Sequence, residues 1–358
     1  MKLHLPHQLF KAVLALMLAA PTALYAAYTA PTSITSPAGY GKSSATSADT
    51  IDLFRTNSQN RAFFFTTDVT FNKPDLPLMT HKAGSWYFTS NGVKSLRSLS
   101  FYKGTSLLFN LNEDKYLSFK ALNSVLFERN SYDLLSYDKT STTCGSTIKV
   151  GEDATVNLTN IATLTFDRNS ASHTSVSSTT FQNSASTHGG AVFGDIDSTI
   201  NIHGNRDVSF IGNSAYAQAS AEAAYPIAAA RGGAIYGATI NITGNDSVLF
   251  SGNSATAEYS AYAYAHGGAI YGTDITLSNN GTIEFSANTV KANRSSAYTS
   301  GTNEALGSAI YVAEDGSLTI SNNKSVTLQG NSGSAIAAGA DSSITITGND
   351  SFSIDTGI

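Results

Sequence analysis

The sequence predicts an all-β chain, a right-handed parallel β-helix preceded by an N-terminal cap region and a signal peptide. Three observations carry this. Pairs of apolar residues recur at fixed offsets, the residues between the pairs have turn chemistry, and the same short stretch returns along the chain. "INIHGNRDVSFIGNS", from Ile200, reappears as "INITGNDSVLFSGNS", from Ile240.

The apolar offsets are 0, 2, 8 and 10. They hold in the two quoted stretches (Ile200, Ile202, Val208, Phe210 and Ile240, Ile242, Val248, Phe250). They recur in windows starting at Leu99, Leu117, Val156, Ile275, Leu318 and Ile344. A two-residue period places alternate side chains on one side of a strand. The middle of each window, such as "TGND" or "SNNK", is rich in Gly, Asn, Asp and Ser, which favour bends. Each window therefore reads as strand, bend, strand, with both strands facing one interior. Successive windows start 18 to 44 residues apart, one or two multiples of a solenoid coil of about twenty residues. Identical offsets are what a parallel β-helix requires, because equivalent residues of successive coils stack directly. Asparagines at repeated bends are expected to form amide ladders.

The N-terminus has the layout of a secretory signal over 1–26. Lys2 and Lys11 precede "AVLALMLAAPTAL" and the small-residue zone "YAAYTA", with cleavage expected near Ala26. Residues 27–95 read as a polar lead and a cap whose strands "RAFFFTTDVTF" and "GSWYFTS" shield the first coil, with Trp86 in the cap core. Residues 96–358 read as the repeat body, truncated at its C-terminus. No later segment reaches membrane-spanning length, and no block of alternating segments is left to build a barrel, so no self-encoded membrane anchor is expected.

Composition narrows the function classes. Charged residues are 13% of the chain and the net charge is −5, so the basic footprint of a nucleic-acid binder is absent. Hydrophobic content of 41% suits a packed core rather than a disordered chain. The single cysteine, Cys144, excludes an internal disulfide framework and reads as a small buried residue or a link to another chain. Asn157, Asn241 and Asn280 match a glycosylation pattern but are expected to be bend residues.

Two short motifs recur. Phenylalanine is followed three residues later by asparagine at Phe109/Asn112, Phe127/Asn130, Phe166/Asn169, Phe210/Asn213, Phe250/Asn253 and Phe285/Asn288, with Leu328/Asn331 a degenerate copy. The ring fills the core; the asparagine is expected to turn the next corner, bonding local backbone and tolerating left-handed dihedrals. A double glycine, alanine and an aliphatic residue recur at Gly189-Gly190, Gly232-Gly233 and Gly267-Gly268, with weaker forms at Gly307 and Gly333. These glycines permit a tight corner where coil packs on coil.

Together the FxxN and GGA[ILV] motifs resemble those of the polymorphic outer membrane proteins of chlamydiae, an autotransporter family. The resemblance implies a surface-exposed β-helical passenger that acts as an adhesin toward host-cell receptors, its motifs involved in adhesion and self-assembly. Family members end in an outer-membrane barrel, and this chain stops at Ile358 inside or just after a repeat.

Scattered carboxylates, Asp207 and Asp246 among them, do not share a repeat offset, so no catalytic residue, cofactor or metal site is expected. The β-helix lyases and hydrolases that act on polysaccharide are the alternative reading, and a truncated, non-functional surface protein is another. His188, Arg231 and His266 each precede a double glycine, where they would form a polar stripe at a loop end or a pH-responsive one. The inserts between FxxN and the double glycine are rich in Ala, Tyr and Ser. They read as binding loops carrying Tyr216, Tyr225, Tyr259, Tyr262 and Tyr264, or as a further strand with tyrosine alternating against alanine. The partner expected is a host-cell surface receptor or a second copy of the chain.

Overall fold

A computed structural model describes residues 45–46, 61–64, 68–72, 86–90, 98–103, 107–111, 113–136, 140–176, 182–219, 225–298 and 300–355. The signal segment 1–26 and most of 27–95 lie outside the described residues. Within them every element is a strand and every strand pairing is parallel. The chain is a parallel β-helix.

One coil shows the plan. Thr199–His203 leads through a bend to Asp207–Ile211, then to Ser214–Ala219 and Tyr225–Arg231, and the double glycine delivers the chain to Ile235–Thr243. One coil on, Ile200 pairs with Ile240, Phe210 with Phe250, Ala215 with Ala255 and Ile235 with Ile270. Three lanes of strands therefore enclose the main core: a first lane through Ile200, a second through Phe210 and a third through Ile235. Their inward residues are buried almost without exception from Trp86 to Leu328.

The first lane runs Leu117, Val156, Ile200, Ile240, Ile275, Leu318, Ile344. Successive members lie 39, 44, 40, 35, 43 and 26 residues apart, so each interval is a single coil. The expected coil of about twenty residues is thus corrected. The excess comes from the inserts, which form two more strands per coil. The 26-residue coil lacks them, since Asn331 is followed almost at once by Gly333.

A second correction concerns the first window. Leu99 and Phe101 pair with Val125 and Phe127, in the second lane, while Trp86 and Phe88 pair with Leu117 and Phe119 in the first. Phe109 pairs with Ile148, in the third lane. All lanes share the same two-residue apolar spacing, and here the bend between first and second lanes is longer, from Thr89 to Ser98. A pattern of four apolar letters therefore matched the wrong lanes. The parallel column also continues on the N-terminal side of residue 96: Val69–Asn72 pairs with Ser98–Tyr102, and Trp86 is fully buried.

The second lane carries the largest side chains. Phe71, Phe101, Phe127, Phe166, Phe210, Phe250 and Phe285 stack consecutively, with centroids 4.6 to 4.9 Å apart and ring planes within 20°. Aromatic pairs left to themselves also favour edge-to-face packing. Here the backbone decides, because parallel strands sit about 4.8 Å apart and force each ring onto the next. Each ring removed from water contributes about 1.5–3 kcal/mol.

Asn157 and Asn241 are mid-strand rather than in bends, a further correction; only Asn280 of the three turns a bend. With Asn201 they form an amide ladder on the outer face, at 2.9 and 3.0 Å.

Phe250→Ala is expected to destabilise the protein by about 3–5 kcal/mol, since the cavity is bounded by Phe210 and Phe285 and cannot collapse. Ser251→Ala on the adjacent outward position should change stability by less than about 0.5 kcal/mol. Urea titration of both variants checks the ordering.

Candidate functional site

The asparagine of the FxxN motif holds one coil to the next. Asn213 Nδ2 donates to Asn253 Oδ1 at 3.0 Å and to the Phe166 carbonyl one coil back at 2.9 Å. Its Oδ1 accepts from Asn169 Nδ2 and from the Asn169 backbone N–H, both at 3.0 Å. Both donors and both lone pairs of the buried amide are used. The ladder runs Asn130, Asn169, Asn213, Asn253, Asn288, Asn331 without a break. These side chains do not bond local backbone as expected. The left-handed dihedral belongs to the residue before each one, such as Arg129, Arg168, Gly212, Gly252 and Ala287. Phe109 stands in the third lane rather than this one, and Asn112 lies outside the described residues. A parallel ladder at the first bend links Asn205, Asn245, Asn280, Asn323 and Asn349.

The inserts are strands, not loops. They leave the body after the FxxN asparagine and return before the double glycine, building two five-stranded parallel sheets. Between these sheets lies a second, separate core made of Ala185, Ala217, Ala228, Ala255, Ala263 and their neighbours. Alanine methyl groups fill most of this layer, with His173 in the Ala217 row and Val290 packed against it, so the sheets form a thin fin beside the main column. Alanine inward and polar or aromatic outward is the alternation that the tyrosines obey.

Tyr216 and Tyr262 are half-buried on outer fin faces, as is Tyr264. Tyr216 Oη donates to Gln218 Oε1 at 2.8 Å, and Glu258 beside it takes Lys291 Nζ at 2.7 Å. Burial first, then the Glu258 carboxylate, pushes the Tyr216 phenol up to about 12. Tyr259 is the most exposed of the set, at 53%. It occupies a bulge where the sheet register jumps between Glu258 and Ser260, with φ of 57°. A left-handed dihedral is strained for a bulky residue. Tyr225 opens the returning strand Tyr225–Arg231. The tyrosines do not form one ladder: Tyr262 pairs with Ile227 and Tyr264 with Ala229 and Glu304.

The double glycines form the neck where fin joins body. Gly189, Gly232 and Gly267 have φ of 64–65°. The second glycine of each pair faces the next coil: a Cβ on Gly233 would strike the carbonyls of Gly268 and Ser254. At Gly190, Gly233 and Gly268 no side chain fits against the next coil, whereas Ser146 and Ser308 take the equivalent place in the flanking coils; the dihedral explains the first glycine. His188, Arg231 and His266 align in register at this neck.

Sequence reasoning missed the residue after GGA[IV]. Phe193, Tyr236, Tyr271 and Tyr311 stack along the outer corner at centroid distances of 5.3, 4.9 and 5.2 Å. The signal was present as [HR]GGA[IV][FY] for the first three, and Tyr311 follows the weaker form LGSAI. Beside them runs a shallow groove of about 650 Å³, reached by Cys144, His188, Asp195, Tyr236 and Asp274. Burial pushes the Cys144 thiol up to about 11, against the partial relief of Lys149, which disfavours a thiolate at neutral pH. Among the described residues no three His, Cys, Asp or Glu side chains converge as metal ligands.

A family model described as the Chlamydia polymorphic membrane protein repeat matches residues 207–238 and 247–273. Each matched stretch runs from the phenylalanine lane through FxxN, the fin and the double glycine to the corner tyrosine. These two stretches carry the repeat of the chlamydial polymorphic membrane protein family. No curated protein and no solved structure matches the chain. Each matched repeat is physically one coil of the β-helix with its fin.

Asn213→Ala should cost at least about 2 kcal/mol, because the Asn169 backbone N–H and the Phe166 carbonyl each lose a buried partner at about 1–3 kcal/mol. Asn201→Ala, in the half-exposed outer ladder, should cost less than about 1 kcal/mol. Comparable losses from the two variants would contradict the assigned role of the inner ladder.

Proposed function

We propose that the chain is a β-helical passenger, exported through its signal segment and displayed at the cell surface, that adheres through the outer faces of the fin and performs no catalysis. The observation that carries this reading is the 26-residue last coil, which closes the apolar column without any fin. The fin is therefore not needed to enclose the core, and five coils nonetheless build it. Its outward surface supplies tyrosines on a rigid sheet, with Tyr259 held out at a strained bulge. Large amphipathic rings on small polar neighbours give contact area at low entropic cost. The partner is a host-cell surface component or another copy of the chain. Surface location of the family supports the reading; adhesion rests on the fin.

Beads coated with residues 27–358 are expected to bind host cells. Replacing Tyr259, Tyr262 and Tyr264 together with serine should reduce binding at least several-fold while urea stability stays close to that of the unchanged protein. Equal binding by the two stably folded proteins would remove the fin from the account.

A further inference from the structure

The neck of the fin repeats one arrangement three times. A nitrogen-bearing side chain closes the returning strand and lies over the corner ring one coil further on. The His188 imidazole is 4.5 Å from the Tyr236 ring at 10°, and the His266 imidazole 4.4 Å from Tyr311 at 7°. Between them the Arg231 guanidinium carbon sits 5.7 Å from the Tyr271 centroid. These contacts clamp fin strands to body strands across the double-glycine corner.

The clamp contains a conflict of charge. Arg231 Nη1 lies 3.1 Å from His188 Nε2. Guanidinium only donates, so Nε2 must accept, and the imidazole is neutral with its proton on Nδ1. A second proton would remove that acceptor and set two like charges 3.1 Å apart in a buried corner. The other charged and titratable groups facing the neck are few. Cys144, Glu304 and His266 come from the fin sheet, Lys149, Tyr236, Tyr271 and Tyr311 from the corner lane, and Asp195 and Glu314 from the adjoining turns. Glu304 Oε1 is 2.9 Å from His266 Nε2 and favours its charged form; no carboxylate is bonded to His188.

We propose that this corner is a proton-operated latch: neutral His188, accepting from Arg231 and stacked on Tyr236, holds the fin to the body, and protonation releases the neck while the phenylalanine column stays closed.

Burial, then Arg231, pushes His188 down to about 3. Burial likewise lowers His266, partly offset by Glu304. A histidine whose folded pKa lies below its ordinary value of about 6.5 contributes stability above that value and loses it as pH falls. Each pH unit between about 6.5 and the folded value of His188 then favours the open neck by about tenfold through that residue. His173, buried within the fin with Nδ1 accepting from the Ser186 N–H at 3.2 Å, is a separate neutral histidine and is retained in every variant.

The test is amide hydrogen exchange, corrected for intrinsic rates, between pH 7.5 and 5.0. The amides to follow are those of Gly189, Gly190, Gly232 and Gly233, which bond from coil to coil along the corner to the carbonyls of Arg231, Gly232, His266 and Gly267. Their protection is expected to fall at least tenfold, while the amides of Asn169 and Asn213 hold. Uniform loss, or none at the corner, overturns the latch. His188→Gln should flatten the dependence; an unchanged slope overturns it. NMR titration of the wild type gives an independent reading that needs no variant. The His188 imidazole should titrate below pH 5, and its midpoint should rise in Arg231→Met. A wild-type midpoint near 6.5, or no rise in the variant, overturns the proposal.

Discussion

Everything in this molecule follows from stacking in register at the parallel-strand spacing. Coils about 4.8 Å apart place each side chain against its equivalent one coil away. A residue suited to stacking on itself is favoured at every turn, and one that is not disrupts two interfaces. Phenylalanine on phenylalanine and asparagine on asparagine satisfy the condition by different means. The rings exchange water for one another, and the amides exhaust their hydrogen-bonding capacity on the coils before and after. An amide with both donors and both lone pairs engaged is a strong register device, since a slip by one residue would strand buried polar groups along the whole ladder.

The coil divides into two parts with different physics. The three-lane column is filled with Phe, Ile, Leu and Val and provides most of the apolar burial. The fin is filled mostly with alanine, so it gains far less per residue, and it is tethered at a neck of glycine and buried serine. The proposed recognition by the fin leaves stability to the column and so separates the two demands. Outward fin positions vary from coil to coil, as the mismatched partners of Tyr262 and Tyr264 show, whereas the column positions repeat. In a family of repeat-built surface proteins, that separation lets the exposed faces differ without disturbing the stack.

Much of this was legible in the letters. From Leu117 onward the apolar offsets mark the first two lanes, and FxxN and GGA mark the two corners. Coil length was misjudged because the fin strands bury mostly alanine. An Ala/Ser/Tyr alternation carries no strong hydrophobic signal, so residues 214–231 and 254–266 read equally as loops. The window at Leu99 was misplaced because the longer bend after Thr89 shifted an otherwise valid pattern onto different lanes. The corner stack of Tyr236, Tyr271 and Tyr311 went unread because a single aromatic letter after GGA[IV] means nothing until coils are superposed. Tyr259 could not be singled out at all, since its bulge arises from a register jump that only the neighbouring strand reveals.

The central claim is that one column keeps equivalent residues one strand spacing apart. Spin labels on Cys144→Ser protein test it most directly, because Leu126, Thr165, Ser209, Leu249, Glu284 and Thr327 are successive outward positions of one lane. Label pairs Leu126/Thr327 and Thr165/Thr327 should read about 24 and 19 Å, a difference of one coil at about 4.8 Å. Two distances that fail to differ by one such step, or that exceed them by tens of ångströms, would contradict the stacked column.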